Sequence, residues 1–415
     1  MMQIPQTSVL KTIYGETKES SQRFESLYQG FEKSFGEKEV EFFSAPGRTE
    51  IIGNHTDHNG GKILAASIDM DTIGAACPTD TNTIEIISEG YRDKIIVNLD
   101  RLESVPKNRG TVSLVAGIAE AVKKFGYQVS GFQAYISTQV ISSAGVSSSA
   151  SFEMLICSMI DYFFNQEKID VTDYARIGQY AENKYWSKAS GLMDQMACAV
   201  GGSILLDFSR GIRYEKKEFQ FETFGYRMVI VNTGKSHADL SEEYSEVPLE
   251  MKKIASLLGK ETLSQCSLDQ LLFKLPEIEK KAKNDRAVLR AIHFFEENRR
   301  VEEMAEAISK TDGQAILKLL EESGRSSWEL LQNCYSLSNF KEQKVTLCLA
   351  LTELFLRKIK DGCCRVHGGG FAGVMMCVVP EAFTEEYVRY MERYVGAGNV
   401  YPMRIRNAGA VHLAR

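Results

Sequence analysis

The chain has 415 residues, a length that predicts about two domains, each large enough for its own core. Charged residues make up 25% and hydrophobic residues 44%, as in ordinary globular proteins, and a net charge of -6 without basic clusters argues against a nucleic-acid partner. Nine cysteines are scattered with no C-x-x-C pair and no histidine at ligand spacing. They are expected as reduced thiols of a cytoplasmic protein, not as a disulfide framework or zinc site. The first residues lack an apolar core of signal-peptide length, and no segment approaches a membrane span, so no membrane partner is expected.

Ser44 to Gly61 reads SAPGRTEIIGNHTDHNGG, with Arg48, Asn54, His55, Asp57, His58 and Asn59 set among Gly47, Gly53, Gly60 and Gly61. Glycine at this density marks backbone that bends sharply or approaches a ligand, although a solvated polar loop between two strands has the same look. Thr83 to Ser88 and Lys94 to Leu99 read as strands, and Leu114 to Phe125 and Thr172 to Trp186 as helices. Ile141 to Glu153, ISSAGVSSSASFE, is a run of small residues opening into the apolar, helix-compatible stretch MLICSMIDYFF. Hydroxyls and free amides at such a helix start suit phosphate. No G-x-x-x-x-G-K-[ST] occurs, and without its lysine the loop relies on amides, hydroxyls and a metal. Phe208 to Phe224 is charged and hairpin-like, and Tyr226 to Thr233 begins a strand and a helix-rich second half. The domains are therefore expected at 1–215 and 216–415. Leu249 to Lys310 carries Lys and Glu at helical spacing, read as solvated helix faces. Arg365 to Gly373, RVHGGGFAG, precedes the strand-length run VMMCVV.

In this order and at these distances, the three glycine-rich segments resemble the signatures of the galactokinase branch of the GHMP small-molecule kinases. The first is similar to A-P-G-R-x-N-x-I-G-E-H-T-D-Y-N-G-G, the second to the phosphate loop P-x-G-A-G-L-S-S-S-A-S, and the third to G-A-R-x-T-G-G-G-F-G-G. GLMDQ (Gly191 to Gln195) and the SEEY segment ending at Tyr244 extend the likeness over nearly the whole chain. The resemblance implies an α+β, two-domain GHMP fold. In it an N-terminal ribosomal-S5-like α/β domain and a C-terminal ferredoxin-like domain enclose the active site.

The implied activity is transfer of the ATP γ-phosphoryl group to galactose. By resemblance Asp194 is the catalytic base and Arg48 its catalytic partner; an ionised carboxylate suffices, because the attacking hydroxyl loses its proton late. Asn54, His55, Asp57 and Tyr244 are the expected sugar contacts. Ser143, Ala144, Gly145, Val146, Ser147, Ser148 and Ser149 form the expected phosphate cradle, and Ser149 and Glu182 the expected Mg²⁺ ligands. The expected partners are the sugar and ATP, with no obligate protein partner evident.

Several positions depart from the family pattern. Asn54 stands for the acid of G-E-H-T-D-Y and His58 for its tyrosine; Ile141 and Ser143 stand for the proline and first glycine of the phosphate loop. A residue near Thr111 replaces the adenine-side tryptophan, and His367 and Ala372 replace a threonine and a glycine of the third motif. The loss of charge at Asn54 leaves galacturonate and N-acetylgalactosamine as alternative acceptors, and predicts that Asn54→Glu is tolerated for galactose. A sugar-sensing regulator without activity is a further alternative, against which the intact SSSAS loop, Arg48 and Asp194 speak. His367 is expected to pack or cap.

Overall fold

The computed structural model describes residues 4–141, 145–188, 190–234 and 241–414. Helices α1 (Thr7–Tyr14) and α2 (Lys18–Phe35) lead into strands β1 (Glu41–Ile52), β2 (Lys62–Pro78), β3 (Thr83–Ser88) and β4 (Ile95–Asn98). Helix α3 (Gly110–Lys124) and strand β5 (Phe132–Thr138) follow, then helices α4 (Ser148–Asn165), α5 (Val171–Tyr185) and α6 (Met193–Val200) and the hairpin β6 (Ser203–Asp207) and β7 (Arg213–Lys217). The rest comprises β8 (Tyr226–Asn232), α7 (Ser241–Leu257), α8 (Leu268–Ala282), α9 (Asp285–Ser309), α10 (Gly313–Ser326) and α11 (Lys344–Ile359). Strands β9 (Cys363–Val366) and β10 (Val374–Pro380), helix α12 (Thr384–Val395) and strands β11 (Val400–Met403) and β12 (Val411–Leu413) complete it.

Two sheets organise these elements. The first has eight strands in the order β12-β1-β2-β5-β3-β4, with β6 beside β2 and β7 beyond β6. Among the described strands only β3 and β5 pair in parallel. The second has four antiparallel strands in the order β11-β8-β10-β9. Relative to their order in the chain these lie fourth, first, third, second, with helices in the first and last connections, which is the ferredoxin-like arrangement. The boundary expected at residues 215 and 216 falls within β7, a strand of the first sheet, and β12 returns to that sheet from the end of the chain.

β1 is buried along its length after Glu41, so it reads as an apolar run and not as an alternation. Pro46 sits in this central strand because the register against β2 shifts between Pro46 and Arg48; a bulge spares the missing N–H and re-aims the next side chains. α4 buries a nearly continuous apolar face, Met154 to Ile160, against the first sheet. Ile51, Leu64 and Val146 pack with Met228, Ile230, Val301 and Val374 in one apolar cluster, which seats the second sheet and α9 against the ends of β1 and β2. All nine cysteines are free thiols. Among the described residues no helix is long and apolar enough to cross a membrane.

Candidate active site

The centre of the site is a bidentate ion pair. Arg48, just past the register shift between β1 and β2, donates from Nε to Asp194 Oδ1 at 2.8 Å and from Nη2 to Oδ2 at 3.0 Å. Its Nη1 donates to the carbonyl of Gly145 and so ties β1 to the phosphate loop. Asp194 lies in the first turn of α6, where the helix dipole favours an anion, and it also accepts from Ser147 Oγ. Burial raises the Asp194 pKa, but the Arg48 guanidinium, with Lys188 and the Ser147 hydroxyl, outweighs it and holds the carboxyl down at about 2. The expected base is therefore ionised and oriented.

The phosphate segment turns through two left-handed residues, Gly145 at φ 62° and Ser147 at φ 56°, and then enters α4. Val146 is fully buried in the interdomain cluster, and Ser148 begins the helix. Ser143 and Ala144 lie outside the described residues. Ser149 Oγ donates to Glu182 Oε1 at 2.9 Å, so the last turn of α5 and the first turn of α4 bring two hard oxygens together, a donor set suited to a small divalent cation. Among the described residues there is no group of three or more His, Cys, Asp or Glu side chains placed to hold a metal. Beneath this pair Gln195 Nε2 donates to Glu153 Oε2 at 3.1 Å. Burial, then the charge of Glu182, pushes the Glu153 carboxyl well above the usual range.

Lys188 brings a lysine to the phosphate segment after all. Its ammonium lies 2.7 Å from Glu182 Oε1, the oxygen that accepts from Ser149. Local sequence could not show this, because Lys188 comes from the turn after α5 and not from the small-residue run. The same turn carries Trp186, whose indole N–H donates to the carbonyl of Gly110 at 2.7 Å. A tryptophan thus stands beside Thr111, supplied from another part of the chain.

Of the residues expected to contact the sugar, His55 sits at φ 59° and donates from Nε2 to the Gly369 carbonyl at 2.9 Å. Burial, then the neighbouring His58, lowers its pKa to about 3. It is therefore a neutral imidazole whose buried Nδ1 is an acceptor without a hydrogen-bond partner among the described residues. Asp57 opens a short turn and accepts from the His58 amide at 2.9 Å. Its Oδ2 lies only 2.3 Å from where a Cβ on Gly191 would sit; glycine at the head of GLMDQ is what lets the two segments meet. The ring of Tyr244, in α7, lies 5.2 Å from that of His55 and 6.2 Å from that of His58, and the Tyr244 residue is 40% exposed.

Asn54 is placed differently from the other three. It is 0% exposed. Its Nδ2 donates to Glu50 Oε1 at 3.0 Å and to the Gly368 carbonyl at 2.7 Å, and its Oδ1 accepts from Asn333 Nδ2 at 2.8 Å. The side chain is committed to protein on every side. Glu50 occupies the position at which the family signature carries asparagine, so acid and amide have exchanged places, and the carboxylate absent at 54 stands one hydrogen bond away. Arg365 Nη2 pairs with Glu50 Oε1 at 2.9 Å. Glu297 accepts from the Gly53 amide at 3.0 Å and Ser323 Oγ at 2.6 Å, and His293 donates to the Asn54 carbonyl at 2.9 Å. α9 and the RVHGGG segment thus clamp the loop from below. His367, 1% exposed, bridges β1 and the third motif: its Nε2 accepts from Thr49 Oγ1 at 2.9 Å.

A family model for the galactokinase galactose-binding signature matches residues 29–78, and one for the GHMP kinase N-terminal domain matches residues 113–202. A galactokinase of Clostridium tetani is 30% identical over 361 residues, 86% of this chain and 88% of its own length. One of Limosilactobacillus reuteri is 30% identical over 88% of this chain and 92% of its own. The crystal structure of Lactococcus lactis galactokinase complexed with galactose superimposes with a TM-score of 0.79 at 27% identity, covering 93% of this chain and 98% of that one. The mevalonate kinase of Methanococcus jannaschii shares the fold at a TM-score of 0.64 and 16% identity. With the ion pair, the serine-rich helix start and the two-sheet architecture in place, the chain belongs to the galactokinase family, a sugar-phosphorylating branch of the GHMP kinases.

Proposed function

We propose that the cleft transfers the γ-phosphoryl group of ATP to the anomeric hydroxyl of galactose, with Arg48 and Asp194 as the catalytic pair. The observation that carries this reading is the bidentate contact, at 2.8 and 3.0 Å, between an always-charged guanidinium and a carboxylate held ionised at the head of the phosphate loop. The hydroxyl oxygen attacks the γ-phosphorus, the bond from that phosphorus to the β–γ bridging oxygen breaks, and ADP leaves with the bond electrons. The hydroxyl proton passes to Asp194. A carboxyl with a pKa of about 2 serves because bond formation to the incoming oxygen lags in a loose transition state, so the proton moves late. Arg48 keeps that carboxylate aimed and neutralises charge on the transferring group.

The amides and hydroxyls of residues 143–149 bind the triphosphate. Ser149 and Glu182 would hold Mg²⁺, a cation that keeps several waters and needs few protein ligands. When bound, it offsets charge on the phosphate oxygens. The bare His55 Nδ1, Asp57 and the Tyr244 hydroxyl face the sugar with an acceptor, an anion and a donor, which is the mixture a polyol requires. Asn54 belongs to the same loop and fixes its shape. Trp186, beside Thr111, offers a ring to the nucleobase. Nine free thiols suit the reducing cytoplasm.

ADP release measured over galactose, galacturonate, N-acetylgalactosamine and no sugar tests the reading. Galactose is expected to give the highest kcat/KM. A preference of tenfold or more for galacturonate would replace this acceptor, and ADP release from none of the three would favour a sugar sensor.

A further inference from the structure

Glu182 is 1% exposed, and the Lys188 side chain that covers it at 2.7 Å is 52% exposed. A half-exposed lysine over a buried carboxylate is a cap held by a strong contact at the end of a flexible four-carbon stem. Its backbone, by contrast, is fixed: the Lys188 amide donates to the Glu182 carbonyl at 3.2 Å, and the Ser190 amide donates to the Lys188 carbonyl at 2.8 Å and to Asn183 Oδ1 at 2.9 Å. Asp194 lies near enough to act on the same ammonium. The lysine therefore sits on the oxygen that would otherwise serve a divalent cation.

We propose that Lys188 is the mobile cation of the phosphate site: it neutralises Glu182 in the absence of nucleotide, yields that oxygen to the divalent cation, and moves onto the triphosphate. Without it Glu182 would be a buried carboxylate with only hydroxyl and amide donors, a costly state. With a divalent cation on Glu182, ammonium and metal compete for one oxygen, and the triphosphate brings more negative charge than one such ion cancels. The released ammonium has phosphate oxygens within reach of its stem, the use to which phosphate-loop lysines are put elsewhere. Metal and nucleotide then bind cooperatively, because each relieves what the other displaces.

The nucleotide half of this proposal rests on the kinase reading, and the metal half does not. Lys188→Met keeps the stem and removes the charge, and Lys188→Arg keeps the charge. Titration calorimetry with Mg·AMP-PNP is expected to show about tenfold weaker binding for Lys188→Met and a change within about threefold for Lys188→Arg, the scale of one charge-assisted hydrogen bond. Mn²⁺ binding without nucleotide, followed by electron paramagnetic resonance, is expected to tighten by about threefold or more in Lys188→Met as its competitor is lost. Galactose affinity should stay within about twofold. Nucleotide affinity within about twofold of the parent, or Mn²⁺ affinity that does not tighten, overturns the proposal. A parent protein that binds no Mg·AMP-PNP sinks the kinase reading instead, and that result is visible before any variant is made.

Discussion

Restoring the family's acid at position 54 by itself should damage the protein, because Glu50 already supplies it. In Asn54→Glu a second carboxylate would take the place of an amide that now donates to Glu50 Oε1 at 3.0 Å. Two like charges about 4 Å apart at an effective dielectric of about 20 cost about 4 kcal/mol. Escape by protonation is no cheaper: keeping a carboxyl of ordinary pKa neutral at pH 7 costs about 3.7 kcal/mol, at 1.36 per unit. The tolerance that the sequence suggests for this substitution is thus not expected once Glu50 is in view. The reverse single change, Glu50→Asn, leaves the buried Arg365 without its carboxylate partner at 2.9 Å, a loss of about 3–5 kcal/mol. Making both changes restores one acid, one amide and one guanidinium within the same cluster. A double-mutant cycle read by urea unfolding should show the double exchange recovering about 3 kcal/mol or more of the roughly 8 that the singles lose together. Galactose affinity measured on the folded variants should recover in parallel. Single-variant losses that add to within about 0.5 kcal/mol would refute the exchange and reduce Glu50 to an unrelated buried acid.

Asp194→Asn should lower kcat by about 10²-fold or more while galactose binding stays within about tenfold, and a variant keeping a tenth of the activity would remove Asp194 as the base. Ser149→Ala and Glu182→Gln should each raise the Mg²⁺ concentration for half-maximal rate; titration curves that overlay the parent would take both residues out of the metal shell. Stability should fall as pH drops below about 6.5, because His55, with a folded pKa of about 3, binds a proton in the unfolded state and not in the folded one. The slope is positive between the folded and unfolded values and flat above them, so His55 alone should cost about 1.4 kcal/mol at pH 5.5. Urea midpoints that are equal at pH 7.5 and 5.5 for the parent, or equally shifted for parent and His55→Asn, would contradict this. Trp186 is one of two tryptophans, so in Trp328→Phe the remaining fluorescence should change on adding ATP, and an unchanged spectrum would place the base elsewhere.

The strands 83–88 and 226–232 were legible because β-branched runs flanked by turn residues have little else to become. The pairing of Arg48 with Asp194, 146 residues apart, was legible only through family motifs, since no local pattern links a strand to a helix start. The asparagine of the family signature falls at Glu50, so that departure was legible beside the motif; what the sequence could not show is that Glu50 and Asn54 are hydrogen-bonded and compensate each other. Lys188 and Trp186 were not legible. They lie in a turn that carries no motif, and only the structure brings them beside Glu182 and Gly110. β12 is three residues long, too short for any periodicity, and its place is decided by the unpaired edge of β1 that it covers.

That last strand and the segment before it join late-made chain to early-made chain. Asp71, in β2, is fully buried and is held by Arg23, by Tyr14 and by Arg406, which lies 335 residues further along and donates at 2.8 Å. At about 5–20 residues per second, roughly 20–70 s separate the emergence of these two partners. Through that interval the nascent first sheet carries an open β1 edge and an aspartate short of one of its counter-ions. A ribosome halted between the two would therefore release a chain whose first sheet is still unfinished, with an edge strand free to pair with another such chain.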